Sequence, residues 1–365
     1  MQFQSANPSV VKSIRQRDLL NTWLRALRKP NPLPSLPDFK PERVDDELAD
    51  MMGFDVEGDG EAARYIITHE GARLTATYGN DHVDPAQRTN RYLHDAIGPD
   101  RYARVVAAYK GGSPDVESSR TRVDRFAAEL RDKWHVEFVD DIPALCARVD
   151  AVLLESVDGR THLEQVRPVI AAKNPVFIDK PLAATLADAR EIARLAREAG
   201  VPWFSASSLR WSEITDKLAG PGILGAATWG PGPFEEHHQL ELSWYAIHPI
   251  EMLFTLMGPG CEEVTRTAGT DADEIVCRWR DGRVGSVRAL RPSGPYGATV
   301  WRKGGAETSP PNAKTGYEAL VREIVKFFQT GRPPVANSET LEIFEFMDAA
   351  QRSKEGGGSP VRLGR

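Results

Sequence analysis

The chain has 365 residues, 41% of them hydrophobic and 27% charged; 52 acidic against 46 basic side chains leave a net charge of -6. That length predicts two or three soluble domains with a full apolar core, and the absence of a basic stripe argues against a nucleic-acid partner. Three scattered cysteines (Cys146, Cys261, Cys277) without CxxC spacing argue against a disulfide framework, and neither a signal-peptide core nor an apolar run long enough for a bilayer is visible, so the expected location is the cytoplasm, with no membrane partner.

SIRQRDLLNTWLRALR (13–28) places Leu20, Trp23, Leu24 and Leu27 at helical spacing, and a proline-rich connector, KPNPLPSLPDFKP, follows. ARYIITHEGARLTATYGND reads as a strand and a short helix, and NRYLHDAIGPDRYARVVAAYK as a helix pair. From Ala103 the pattern alternates strand and helix: ARVVAAY (103–109), SSRTRVDRFAAELRDKW (118–134), VEFVD (136–140), a short helix IPALCARV, DAVLLES (150–156) and RTHLEQVRPVIAAK, a helix interrupted by Pro168. PVFID (175–179) comes next, then a helix with Thr185 as N-cap, Asp188 as its capping-box acid and Gly200 as its stop, and finally VPWFSASS (201–208). Strands separated by such helices imply a parallel, doubly wound sheet. Beyond Arg210, VTRTA, DEIVCRWRDG, RVGSVRALR and YGATVWRKGG read as strands of an open antiparallel sheet, with Asp281-Gly282 as a hairpin marker. Two amphipathic helices, GYEALVREIVKFFQTG and SETLEIFEFMDAAQRS, finish the chain.

Within DRYARVVAAYKGG two readings collide, since upstream residues make it a helix and downstream residues a strand. The seam suggests a recombined, misassembled or chimeric chain. The expected architecture is therefore an N-terminal segment (1–102), an incomplete Rossmann-like parallel sheet (103–211) and an α+β open-sheet domain (212–365).

The most informative stretch is PVFIDKPLA, where an apolar strand delivers Asp179, Lys180 and Pro181 at its carboxyl end, the end at which ligands sit in parallel sheets. With IDKP, SVDGRTH and SWYAIHPIEMLFTLMG (243–258), residues 103–363 resemble the glucose–fructose oxidoreductase / inositol dehydrogenase / MocA (Gfo/Idh/MocA) family of NAD(P)-dependent oxidoreductases. The resemblance implies hydride transfer between NAD or NADP and a sugar or polyol hydroxyl, with Lys180 and His248 as the catalytic pair. It places Lys110, Ser156, His162, Asp179 and Lys180 on the cofactor and Lys180, Arg210, Tyr245 and His248 on the substrate, and it implies a homodimer through the C-terminal sheet. A proton must leave the carbinol as hydride departs, which suits a histidine or lysine tuned near neutral pH. Lys110, at the end of the second strand, favours a 2′-phosphate, with Asp115 near enough to reverse that preference. Arg210 is read either as a substrate anchor or as a salt-bridged hinge.

Three departures matter. Trp244 stands where the family has an aspartate four residues before its histidine, leaving Glu251 as the acid on the same helical face. The single G-x-G-x-x-G match, Gly220–Gly225, precedes AATWG rather than a helix and is read as a turn, so weak NAD(P) binding is expected. Residues 1–102 resemble the front half of a PAS-type sensor domain, which keeps a non-enzymatic sensing or ligand-binding protein as the alternative. Glu235-Glu236-His237-His238 are neighbours on a loop that cannot all turn to one ion, and no metal is expected.

Overall fold

The computed structural model describes residues 103–364 and the backbone of two N-terminal strands. The chain divides into two compact units, Met1–Ala86 and Gln87–Arg365. In the first, β1 (Met52–Glu57) and β2 (Arg64–Glu70) form an antiparallel hairpin whose register shifts between Gly53 and Phe54. The predicted helix 13–28, the proline-rich connector and the rest of the PAS-like reading lie outside the described residues.

In the second unit the seam reads as a strand: β3 is Ala107–Tyr109, shorter than the predicted 103–109, and it pairs in parallel with β4 (Glu137–Val139). The predicted helix 118–134 is split into α1 (Glu117–Arg120) and α2 (Val123–Asp132), and α3 (Ile142–Cys146) starts where the Asp141 side chain accepts from Ala144 N at 2.7 Å. A second parallel group joins β5 (Val152–Leu154), β6 (Val176–Ile178) and β7 (Trp203–Phe204) in that order. The single parallel sheet expected from sequence is therefore two groups. In a 3-2-1-4-5-6 dinucleotide-binding sheet the first strand lies between positions that β3 and β5 fill here, and among the described residues no strand pairs with those two edges.

The strand pattern of β6 explains its depth. Val176 and Ile178 face α4 (His162–Ala171) and α5 (Leu186–Ala199), whose Val166, Val169, Ala189 and Ile192 close that side. Phe177 faces the other way, with Phe204, onto Leu320, Ile324 and Phe327 of α9 (Glu318–Thr330). Pro168 does not interrupt α4, which runs through it, and α5 has the predicted ends, with Thr185 accepting from Asp188 N at 3.0 Å and Gly200 left-handed at φ 65°.

After α6 (Glu213–Leu218), a turn through Gly220–Gly222 leads into β8 (Gly225–Pro231), so the G-x-G-x-x-G match is a turn into a strand. With β9 (Cys261–Ala268), β10 (Ala272–Trp279), β11 (Val284–Leu290), β12 (Gly297–Arg302), β13 (Gly305–Thr308) and β14 (Val361–Arg362), it builds a seven-stranded sheet ordered β13-β12-β8-β11-β10-β9-β14. The expected all-antiparallel sheet is in fact mixed, because β8 inserts between β12 and β11 and runs parallel to β11. Its small residues, GAATWG, hide it from a propensity reading. Helices α7 (Glu241–Trp244), α8 (Ile247–Met257) and α10 (Asn337–Glu355) complete the unit, and the sheet core (Val264, Ile275, Val287, Val300) is continuous with Ile250, Leu253, Phe344 and Phe346 from α8 and α10. No helix among the described residues is long and apolar enough to cross a membrane.

Candidate functional site

The site forms where β5 and β6 end. Asp179 N donates to Leu154 O at 2.9 Å, so Asp179 and Glu155 occupy the next register position after the paired Leu154 and Ile178. Lys180 follows, its side chain only 14% exposed and its Nζ 3.6 Å from Asp179 Oδ2. Burial works against its charge, but Asp179 first, then the Tyr317 and Tyr245 hydroxyls, hold its pKa above the usual lysine value. Lys180 is thus an ammonium at neutral pH, suited to donate to an oxygen gaining negative charge.

His248, on α8, is buried and close enough to Lys180 to feel its charge. Burial first, and that charge second, push its pKa well below the usual histidine value, so the ring is neutral. Its Nδ1 lies 2.6 Å from Ser207 Oγ; a proton on Nδ1 donated to Ser207 leaves Nε2 as an acceptor. Tyr245 and Tyr296 flank the ring edge-on at 5.7 and 5.8 Å. Tyr296 is seated on Gly230, where a Cβ would come within 2.5 Å of the phenol ring.

The remaining sequence candidates are placed as follows. His162 is fully buried, with Nδ1 3.2 Å from Leu182 O and Nε2 2.7 Å from Ser156 O. Burial lowers its pKa, and the ring pins the loop after β5 to the loop that carries Lys180, so it can touch a cofactor only through the backbone it fixes. Gly159 lets these loops meet, since a Cβ there would lie 2.8 Å from the Ala183 backbone. Ser156 Oγ donates to Gln165 Oε1 at 2.8 Å, and Gly111 lies against both. Lys110 is half exposed and ion-paired with Asp124.

Arg210 sits elsewhere. Its side chain is 7% exposed, Nε pairs with Glu251, and Nη1 lies 2.7 Å from Glu339 Oε1. This is the salt-bridged joint of the two sequence readings, not an exposed anchor. Glu251 is consequently engaged by Arg210 and unavailable to steady His248, whose partner is Ser207. Trp244 packs edge-on against His238 at 5.0 Å. His237 and His238 diverge, the first to Glu235 and the second, 3.0 Å away, to the buried Asp158. Asp158 also accepts from Ser113 and Arg160; burial opposes its ionisation, yet His238, Arg160 and Ser113 hold its pKa far below the carboxylate range. Among the described residues no group of three or more His, Cys, Asp or Glu side chains is placed to hold a metal.

Sequence reading passed over Glu155, Ser207, Tyr296 and Tyr317. Only Glu155 left a signal: in VLLES it is the first polar residue beyond an apolar strand.

For a dinucleotide, the fit is uneven. Lys180, Ser156 and the Lys110–Gly112 backbone lie at carboxyl strand ends and suit a nicotinamide and its ribose. No G-x-G-x-x-G turn joining a strand to a helix N-terminus is among the described residues.

Comparisons agree with this layout. Residues 77–207 match the family described as oxidoreductase family, NAD-binding Rossmann fold, so the match starts inside the stretch that sequence reading gave to the N-terminal segment. An inositol 2-dehydrogenase of Paracoccus denitrificans is 36% identical over 107 residues, 29% of this chain and 32% of that protein. A 1,5-anhydro-D-fructose reductase of Ensifer adhaerens is 37% identical over 110 residues, 29% of this chain and 33% of that protein. The chain thus spans about a third of the length of the curated relatives it matches. The crystal structure of myo-inositol dehydrogenase from Lactobacillus casei in complex with NAD(H) and myo-inositol superposes with a TM-score of 0.59 at 17% identity, covering 77% of this chain and 94% of that one. At that identity the likeness shows the fold. Residues 77–207 thus resemble the Gfo/Idh/MocA group of NAD-binding oxidoreductases.

Proposed function

We propose that the chain transfers hydride between NAD(P) and a carbinol or carbonyl carbon of a sugar or polyol. The observation that carries this reading is the buried ammonium of Lys180 at the carboxyl end of β6 beside the neutral ring of His248. The names of the matched relatives, an inositol dehydrogenase and an anhydrofructose reductase, supply the substrate class. A bound nicotinamide would supply or accept the hydride.

The protein's own residues do the rest. Lys180 donates a hydrogen bond to the substrate oxygen and stabilises its negative charge. His248 Nε2 takes the hydroxyl proton in the oxidising direction, with Ser207 fixing the tautomer. Tyr245, 36% exposed and against His248, borders the substrate. Asp179 keeps Lys180 charged, and Ser156 and Lys110 face the ribose, with His162 holding the Ser156 loop. A second copy is proposed to cover the outer face of the large sheet, where Val276, Val284 and Trp301 are exposed; sedimentation mass is the check.

The test is turnover of NAD and NADP with myo-inositol, read as gain of reduced nicotinamide, and of NADH and NADPH with anhydrofructose, read as its loss, together with calorimetric titration of each cofactor. Each charge-assisted hydrogen bond missing from a pyrophosphate site costs about 1.5–3 kcal/mol. The expected dissociation constant is therefore about a millimolar or weaker. A micromolar constant would place a working phosphate site in the chain, and absence of turnover with every polyol tried would remove the reading.

A further inference from the structure

Helix α7 has four residues, too few to hold a helical turn unaided, yet it delivers Tyr245 to the edge of the His248 ring. Its contacts have to hold it. At its start Glu241 is paired with Arg266 and Lys354. At its end Ser243 and Trp244 both rest on His238: Ser243 Oγ lies 3.2 Å from Nδ1, and the Trp244 ring stands edge-on to the imidazole at 5.0 Å. Trp244 in turn meets the Tyr245 ring at 6.3 Å. On its other side His238 Nε2 is 3.0 Å from Asp158 Oδ1, on the loop after β5, and Asp158 accepts from Ser113, on the loop after β3. His238 and Asp158 are both buried.

The hydrogen bonds fix the roles of the His238 ring. Ser243 Oγ gives its one proton to Leu240 O at 2.7 Å, so it accepts from Nδ1, while Asp158 accepts from Nε2. With both nitrogens donating, the ring is an imidazolium held by a buried carboxylate that Ser113 and Arg160 also satisfy. Such a pair is weak evidence for stability, but its directed bonds set where the elements that carry it meet. It joins the loops at the carboxyl ends of β3 and β5, which suit a nicotinamide ribose, to the segment that leads into α7. No carboxylate of α8 can take that part, because Glu251 belongs to Arg210.

We propose that His238 is a positioning residue of the site, resting on the oxidoreductase reading above: held by Asp158, it sets Tyr245 against His248 in register with the loops that face the cofactor. The substrate carbinol has to meet His248 and the nicotinamide at once, and a displacement of about 1 Å in such a constellation can cost about 10²-fold in rate. His238 acts through Trp244 and Tyr245 and moves no proton itself.

The test compares His238→Gln with the wild type. The expected result is a loss of about ten- to a hundredfold in kcat/KM for myo-inositol, the size of a small misplacement, with KM for the cofactor little changed. In a Tyr245→Ala background the same substitution should cost nothing further, because its effect passes through Tyr245. A merely structural histidine would lower the urea midpoint alone or cost the same in both backgrounds. Ser243→Ala, which removes only the Nδ1 partner, should give a smaller loss of the same kind, and it carries the test where His238→Gln does not fold. A second readout needs no turnover. With isotopically labelled histidine, nitrogen NMR should show both ring nitrogens of His238 protonated in the wild type, and the ring signal of His248 should move in His238→Gln. An active wild type whose kcat/KM is unaltered in His238→Gln overturns the inference and spares the oxidoreductase reading, as does an equal cost in the two backgrounds or an unmoved His248 signal. A wild type without turnover overturns that reading, and the His248 signal alone then decides whether His238 sets the place of that ring.

Discussion

Two buried cations sit near the ends of neighbouring strands, and the chain treats them oppositely. Arg210, past β7, is clamped by Glu251 and Glu339 from α8 and α10, which ties the strand region to the large-sheet region. Lys180, past β6, has one carboxylate at 3.6 Å and is otherwise ringed by phenols and a neutral imidazole. A guanidinium matched to two carboxylates is satisfied and has nothing left to offer a ligand except Nη2, which is buried. An ammonium with a loose partner has unspent donors. The tightly paired cation is therefore architecture and the loosely paired one is chemistry.

Exchanging each residue tests that contrast. Lys180→Ala is expected to lower kcat by about 10²- to 10⁴-fold with the urea midpoint nearly unchanged, as for loss of one positioned acid–base group. Steady-state kinetics beside an unfolding curve measures both. Retained turnover would break the comparison at its functional end. Arg210→Met should do the reverse. It strands Glu251 and Glu339 without their cation, and removing one partner of a buried pair costs about 3–5 kcal/mol. Burial already pushes the Glu251 pKa up against Arg210, so Glu251 should take up a proton in the variant. Adding Glu251→Gln to Arg210→Met should then recover part of the urea midpoint. A single variant as stable as the wild type would mean that the joint is not held here.

Much of this contrast was legible in the sequence, though unevenly. The strand and the Lys180 that ends it could be read because an apolar β-rich run followed by charge and proline has one simple interpretation, and α5 announced both ends through Thr185 and Gly200. Arg210 stayed ambiguous because its two partners lie 41 and 129 positions away along the chain, far beyond any periodic signal. Ser207 and Tyr296 were invisible for the same reason. β8 was missed because Gly and Ala carry little strand propensity and its burial is set by partners on both sides. Residues 77–102 show a different limit: the family match includes them, although no glycine fingerprint marks them.

The smallest expected effect sharpens the functional end of the comparison. Ser207 Oγ faces His248 Nδ1 at 2.6 Å and also accepts from Leu209 N at 3.1 Å, so Ser207→Ala removes two hydrogen bonds of different use. The backbone bond caps a short turn, and its loss should cost about 1 kcal/mol of stability. The bond to the ring fixes which nitrogen carries the proton. Without it the neutral imidazole divides between two tautomers, and only the one with a bare Nε2 can accept from substrate. A net hydrogen bond of about 1 kcal/mol corresponds to somewhat less than a tenfold loss in kcat/KM for alcohol oxidation. Ser207→Thr keeps the hydroxyl and should keep most of the rate, whereas a merely structural serine would respond to Ala through the urea midpoint alone. An Ala variant with unchanged kcat/KM would show that His248 is positioned by Tyr245 and Tyr296 rather than by Ser207.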